Sequence, residues 1–159
     1  VTPNITVAAG TDQTVCANNA NVSLAGTVSG GSSTGTWTLS GTGTFLPGAS
    51  SLNPIYIPSA ADTTAGMVTY TLTSTNNGGC TPQSDVMAVI ITDAPTVNAG
   101  SDITTCANNG AVSLSGVSST GSGTWTSSGS GTFTPNPNTL NATYTPSPAD
   151  TAAGSVTLH

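Results

Sequence analysis

Apolar and polar residues alternate along the chain in short runs, and clusters of Gly, Pro, Asn and Ser separate these runs. Alternation with a period of two is typical of β-strands with one buried face, and turn clusters about every 8–12 residues are typical of a β-sandwich. In the first part of the chain this pattern predicts strands at 5–8, 13–16, 21–28, 35–40, 44–46, 54–57, 67–75 and 85–92.

The same alternation predicts which side chains face the core. Trp37 lies on a central predicted strand and is large enough to supply much of a small core. Trp125 stands in a matching context later in the chain and has the same predicted role. The other predicted inward residues are Val22, Leu24, Val68, Tyr70, Leu72, Val86, Ala88 and Ile90, with Val112, Leu114 and Val156 in the later part.

The chain contains an internal repeat. When 1–26 is aligned at an offset of 90 and 35–71 at an offset of 88, 37 of the 63 aligned residues are identical. Such self-similarity indicates tandem duplication. We therefore predict two domains, 1–93 and 94–159. In the alignment His159 matches Thr71, so the second copy lacks the last strands of the first. A longer array or a strand from another chain would complete it.

Composition excludes several functions. The chain has no Lys or Arg, its six acidic residues are all Asp, and its net charge is −6. It therefore has no basic surface for nucleic acid or anionic lipid, and no Lys for a Schiff base. His159 is the only imidazole, with no Ser or Cys assignable to it as a nucleophile. We predict no enzyme activity and no cofactor.

Two acidic residues recur at equivalent turns. Asp62 and Asp150 both follow Pro-Ser-x-Ala and precede Thr, and Gly66 follows the first of them. An Asp that caps the turn, a Gly with positive φ and an inward aromatic at Tyr70 would make a corner leading into a strand. We predict a structural role for both Asp residues.

Several segments together resemble a known family. The segments 8–15, 22–26, Trp37 and 66–73 resemble the polycystic-kidney-disease (PKD) type of immunoglobulin-like domain. With the segments 16–19 and 78–80, the chain is more specifically similar to tandem repeats of large Bacteroidetes surface proteins, such as gliding-motility adhesins and other type IX secretion substrates. The resemblance implies an all-β fold of tandem immunoglobulin-like sandwiches at the cell surface of a bacterium.

The resemblance also implies an oxidising location, where disulfides can form. Cys16 could pair with Cys80 inside the first copy, which would leave Cys106 without its partner. Alternatively, Cys16 could pair with the hairpin cysteine of the next repeat and connect neighbouring units, or the thiols could stay free. The Asp-Thr-small pattern at Thr63 and Thr151 fits an O-glycosylation acceptor of Bacteroidetes, at a corner expected to be exposed.

Metal binding is a weaker hypothesis. No two cysteines are closer than 26 residues, whereas zinc sites use closely spaced pairs. Asp12, Asp85, Asp93 and Asp102 could offer oxygens to calcium near the domain junction, but there is no Asp-x-Asp-x-Asp-Gly loop. We therefore predict no metal site and favour solvated turn roles for these residues.

These observations lead to three functional hypotheses. The first is a structural or adhesive repeat segment of a long extracellular surface protein or filament. Its partners would be neighbouring repeats, surface glycans or other cells, without nucleic acid or membrane insertion. The second is a filament subunit in which chains donate strands to one another. The third is a carbohydrate-binding module, which would need exposed aromatic rings.

Overall fold

A computed structural model describes residues 4–159. The chain divides into two compact units, Val1–Ala94 and Pro95–His159, called unit 1 and unit 2 below. The boundary expected from the sequence, after residue 93, lies one residue earlier. Strands make up most of the regular structure, and the two α-helices of the described residues have six residues each, so the fold class is all-β. None of these helices has the length and apolar character that crossing a membrane requires.

Among its described residues, unit 1 contains nine strands and one short helix. They are β1 (Thr6–Ala8), β2 (Gln13–Cys16), β3 (Val22–Ser23), β4 (Thr27–Ser29), β5 (Thr34–Leu39), β6 (Thr44–Leu46), β7 (Ile55–Ile57), α1 (Ala60–Ala65), β8 (Met67–Thr75) and β9 (Ser84–Thr92). One sheet has the order β2-β9-β8-β5, a second has the order β3-β7-β6, and β1 pairs with β4.

The four-stranded sheet is mostly antiparallel, but β2 and β9 run parallel. Their register places Gln13 opposite Val89 and Cys16 opposite Thr92. The segment 21–28, predicted as one strand, is two strands instead. The chain changes sheets there, since β3 pairs with β7 and β4 pairs with β1. Between them the Leu24 N–H donates to the Pro54 carbonyl and the Gly26 N–H to the Leu52 carbonyl.

Both larger sheets contribute to the core of unit 1. Trp37 from β5, Tyr56 from β7 and Tyr70 from β8 are almost fully buried. The full set of buried apolar residues is Ile5, Ala9, Val22, Leu24, Val28, Trp37, Tyr56, Val68, Tyr70, Leu72, Met87, Val89 and Ile91.

The predicted inward face of β9 is wrong by one residue. Val86 and Ile90 are exposed and Ala88 is only partly buried, whereas Met87, Val89 and Ile91 are buried. The run from Val86 to Ile91 is entirely apolar, so alternation could not choose between its two faces. Pairing with β8 decides the face, because Val89 lies opposite the buried Val68.

Unit 2 contains fewer strands. They are β10 (Val97–Asn98), β11 (Val112–Ser113), β12 (Val117–Ser118), β13 (Thr132–Thr134) and β14 (Thr143–Thr145), followed by α2 (Pro148–Ala153). The strands form a β11-β14-β13 sheet and a β10-β12 pair, and a bridge joins Ser127 to Leu158. The buried apolar core consists of Leu114, Trp125, Ala142 and Tyr144.

Candidate functional site

The corner between β7 and β8 is a short helix with a cap at each end. Ser59 is the N-cap of α1, and its hydroxyl accepts a hydrogen bond from the Asp62 N–H at 3.1 Å. The Asp62 carboxylate in turn accepts from the Ser59 N–H at 2.9 Å, which completes a capping box. Gly66 ends the helix with φ of 74°. The structure confirms the predicted capping role of Asp62 and the positive φ of the glycine.

Asp62 also joins the helix to the core. Its Oδ2 accepts a hydrogen bond from the Tyr56 hydroxyl at 2.6 Å, and its Oδ1 accepts from the Thr42 N–H at 2.8 Å. The Tyr56 hydroxyl itself accepts from the Gly43 N–H at 2.8 Å. Because Asp62 is 3% exposed, this carboxylate depends on these donors in place of water.

The hydrogen bonds hold this carboxylate in its charged form. Burial alone would raise the pKa of Asp62, but the donors from Tyr56, Ser59 and Thr42 outweigh it and lower the pKa to about 2. Burial, followed by the hydrogen bond to Asp62, raises the pKa of Tyr56 well above its usual range. The pair is therefore a carboxylate and a neutral phenol, which suits a structural contact.

Unit 2 contains the same arrangement. The Tyr144 hydroxyl donates to Asp150 Oδ2 at 2.9 Å, and the Ser130 N–H donates to Oδ1 at 2.9 Å. Backbone hydrogen bonds from Ser147 and Ser130 lower the pKa of Asp150 to about 2. Neither tyrosine was predicted from the sequence as a partner of the capping Asp. A signal was available, because a Tyr precedes the capping Asp by six residues in both copies.

The two predicted glycosylation residues lie in these short helices. Thr63 is partly buried and Thr151 is exposed. Each hydroxyl donates to the carbonyl of the N-cap serine, Ser59 or Ser147, at 3.0 Å. The Asp that precedes each threonine, Asp62 or Asp150, is buried. Of the residues in the two Asp-Thr pairs, Thr151 is the one that is exposed.

The three cysteines lie apart. Cys16 lies opposite Thr92, where β9 ends, and its thiol donates to the Asp93 carbonyl at 3.6 Å. Cys80 lies in the connection before β9 begins. A strand of nine residues spans about 30 Å, whereas a disulfide needs Cα atoms within about 7 Å. This geometry excludes the Cys16–Cys80 pairing within one copy. Cys106 is exposed in unit 2.

The acidic residues considered for calcium have different surroundings. Asp85 Oδ2 accepts from the Ala9 N–H, and Asp12 Oδ1 accepts from the Ala88 N–H, both at 2.8 Å. These carboxylates therefore connect β9 to the chain on either side of Gly10. Asp93 and Asp102 are exposed. Within residues 4–159 no group of three or more His, Cys or Asp side chains could hold a metal ion.

The aromatic rings belong to the cores. Trp37, Tyr70 and Trp125, the three aromatic residues predicted to lie in the cores, are 2%, 0% and 5% exposed. Tyr56 and Tyr144 are also buried, and Phe45 and Phe133 pack against them. The described part of the chain therefore offers no exposed ring for stacking on a sugar. His159 is exposed, and its backbone pairs with that of Thr126.

One opening lies in unit 2. A cavity of about 610 Å³ separates the segment 99–107 from the segment 154–158, and the side chains of Leu114, Trp125 and Tyr144 form its base.

No protein-family model matches the chain, and no curated protein matches it significantly.

Proposed function

We propose that the chain is a structural or adhesive repeat segment of a long extracellular surface protein or filament of a bacterium. In this proposal both units are PKD-like, immunoglobulin-like β-sandwiches of one tandem array, and neither performs catalysis. The parallel pairing of β2 with β9 is the observation that carries the proposal.

That pairing suits a load-bearing role. β2 lies near the start of unit 1 and β9 near its end, and they are neighbours over four residue pairs from Gln13–Val89 to Cys16–Thr92. When the start of one strand in a parallel pair is pulled away from the end of the other strand, the force acts along both strands. All the hydrogen bonds between the two strands then bear the force at the same time, in shear. A force perpendicular to the strands would instead break these hydrogen bonds one after another.

The surface composition is consistent with an exposed stalk. The chain has no Lys or Arg, so none of its six Asp residues can pair with a basic side chain other than His159. Asp62 and Asp150 are buried and satisfied by hydrogen bonds, which removes two of the six carboxylates from the surface. Hydration then rests largely on Ser and Thr, and on glycans if Thr63 and Thr151 carry them. Neighbouring repeats, surface glycans and other cells are the proposed partners.

Single-molecule pulling of the full chain tests the load-bearing role. Handles at Gln13 and Thr92 direct the force along the two strands, because these residues are three positions apart in the ladder. Handles at Gln13 and Val89, which are direct partners, direct it across the same ladder. We expect unit 1 to unfold at clearly higher force in the first geometry, since forced unfolding follows the unfolding rate along the pulled direction.

Equal unfolding forces in the two geometries would contradict a mechanical role.

Mass spectrometry of the protein isolated from its native cells tests the location and the glycan. An O-glycan on Thr151 is expected, and recovery of the protein from a cytoplasmic fraction only would count against the surface assignment.

A further inference from the structure

The connection between β8 and β9 contains an Asn-Gly pair, Asn77-Gly78, and unit 2 contains a second one, Asn109-Gly110. In both places another Asn comes first, so the local sequence Asn-Asn-Gly is the same. An Asn side chain that precedes Gly can react with the backbone nitrogen of that Gly, because no Cβ shields this nitrogen. The surroundings of the two pairs therefore decide which of them reacts in the folded chain.

Asn77 begins a tight turn with an open backbone. Its carbonyl accepts a hydrogen bond from the Cys80 N–H at 3.0 Å. Both central residues have positive φ, 59° at Gly78 and 88° at Gly79, which is the pattern of a type I′ turn. A Cβ built on either glycine would meet no atom within 4 Å beyond its chain neighbours. Within residues 4–159 the Gly78 N–H has no hydrogen-bond partner, so the attacking nitrogen is unhindered.

The Asn77 side chain is held by a single long hydrogen bond. Its Nδ2 donates to the Ser74 carbonyl at 3.3 Å. Its Oδ1 is buried and has no hydrogen-bond partner in the described part of the chain. Because Nδ2 is the leaving group of the reaction, its departure removes only this one contact from the fold.

Asn109 has different surroundings. It is the last residue of a short 3₁₀ helix, Ala107–Asn109, and Gly110 continues with a helical φ of −77° and ψ of −7°. In a helix the Cα–Cβ bond points toward the N-terminus, away from the nitrogen of the next residue. The Pro146 side chain also lies 3.4 Å from the position that a Cβ on Gly110 would take. These features keep the Asn109 side chain away from the Gly110 nitrogen.

We propose that Asn77 deamidates through Gly78 in the folded chain, and that it does so before Asn109. The Gly78 nitrogen loses its proton and bonds to the Asn77 Cγ, the bond from Cγ to Nδ2 breaks, and ammonia leaves with that proton. The product is a five-membered succinimide. Water then adds to one of the two ring carbonyls and opens the ring, which gives aspartate or isoaspartate at position 77. One water is consumed and one ammonia released, without oxidation or reduction.

Deamidation changes the charge and the hydrogen bonding of the β8–β9 connection. It adds one negative charge to a chain with a net charge of −6 and no Lys or Arg. The carboxylate finds no donor in the place of the amide, because the Ser74 carbonyl only accepts and nothing donates at the Oδ1 position. Ser74 is buried, and its hydroxyl accepts from the Gln83 N–H at the base of the connection. The reaction should therefore weaken this base and lower the urea midpoint of unit 1.

The site does not depend on the extracellular role proposed above, and a time course with the full chain at mildly alkaline pH tests it. Pepsin replaces trypsin for the digest, because the chain has no Lys or Arg. Mass spectrometry then detects the replacement of NH by O at each site. In the folded chain we expect Asn77 to convert about tenfold faster than Asn109, with isoaspartate among the products. In guanidinium chloride the two sites should convert at similar rates.

Variants of the chain locate the reaction. G78A places a Cβ beside the attacking nitrogen and should slow the conversion of Asn77 about tenfold, whereas the matched change G110A should leave that rate unchanged. Because Gly78 has positive φ, the indole N–H signal of Trp37 checks that G78A is folded. N77D, which has the structure of one product, should lower the urea midpoint of unit 1.

Three results would each overturn the proposal. They are equal rates at the two sites in the folded chain, an Asn77 that stays intact in the folded chain but converts in guanidinium chloride, and an unchanged rate in folded G78A. An N77D chain with an unchanged urea midpoint would overturn the inferred effect on the β8–β9 connection.

Discussion

Tyr56 and Tyr70 lie side by side in the core of unit 1, with ring centroids 5.0 Å apart, yet their hydroxyl groups have different surroundings. The Tyr56 hydroxyl donates to Asp62 and accepts from Gly43. The Tyr70 hydroxyl is buried and has no hydrogen-bond partner among the described residues. Burial, followed by electrostatic interaction with Tyr56 and Asp62, raises the pKa of Tyr70, so this hydroxyl stays neutral. The two rings serve packing equally, but only one hydroxyl stabilises the fold.

Replacing each of these tyrosines with phenylalanine should separate the two roles. Y56F leaves Asp62 without its side-chain donor and the Gly43 N–H without its acceptor, so we expect the free energy of unfolding of unit 1 to fall by about 1–3 kcal/mol. Y70F removes only an unpaired buried hydroxyl and should leave stability unchanged or slightly higher. The counterpart of Tyr70 in unit 2 is Leu158, an aliphatic residue that has no hydroxyl group. Urea unfolding of each variant measures the difference.

Y144F provides the matched control in unit 2. It should destabilise unit 2 and leave unit 1 unchanged, because the Tyr144–Asp150 contact belongs to the second corner. Equal losses for Y56F and Y70F would mean that the Tyr56–Asp62 hydrogen bond contributes nothing beyond ring packing.

The capped helix α1 makes the stability of unit 1 sensitive to acid. The pKa of Asp62 is lowered from 3.8 to about 2 in the folded state. A lowered pKa stabilises the fold at pH values above the unfolded-state pKa, and this contribution is lost as the pH falls through the folded-state value. We therefore expect unit 1 to lose about 1–2 kcal/mol between pH 4 and pH 2 from this residue.

The D62N variant tests this assignment. Asparagine does not titrate, so the stabilities of the variant and the unsubstituted chain should differ most near neutral pH and approach each other near pH 2. Denaturant midpoints followed through the Trp37 signal give both curves. Parallel curves across this range would show that the acid sensitivity of unit 1 comes from other groups.

Strand β9 shows what an element's sequence can and cannot specify. Its position was predicted to within one residue, because turn residues precede it and an Asp-Ala-Pro segment follows it. Its inward face was predicted wrongly, because six successive apolar residues fit either face of the strand. The pairing of Met87 with Tyr70 and of Val89 with Val68 selects the face, and that pairing is a long-range property.

At the scale of the whole molecule, the repeat was the most informative sequence feature. It predicted two domains, 1–93 and 94–159, and it drew attention to Asp62 and Asp150 at equivalent turns. The Tyr56–Asp62 contact was missed, because a tyrosine on a predicted strand is interpreted as core and nothing local indicates where its hydroxyl points. The separation of Cys16 from Cys80 also depended on knowing which strands pair.

The repeat also permits a comparison of stability within one molecule. Unit 2 has the same corner as unit 1, but its buried apolar core is limited to Leu114, Trp125, Ala142 and Tyr144. Unit 1 adds three apolar side chains from β9 to a larger core. Since burial of apolar surface is the main stabilising contribution, unit 2 should unfold at a lower urea concentration than unit 1. The chain should therefore unfold in two steps.

The indole N–H signals of the two tryptophans report these steps separately. In a urea titration the folded signal of Trp125 should disappear before that of Trp37, because each ring is buried in the core of its own unit. Simultaneous loss of both signals would show that the two cores unfold as one cooperative structure. The smaller core of unit 2 would then not make unit 2 less stable than unit 1.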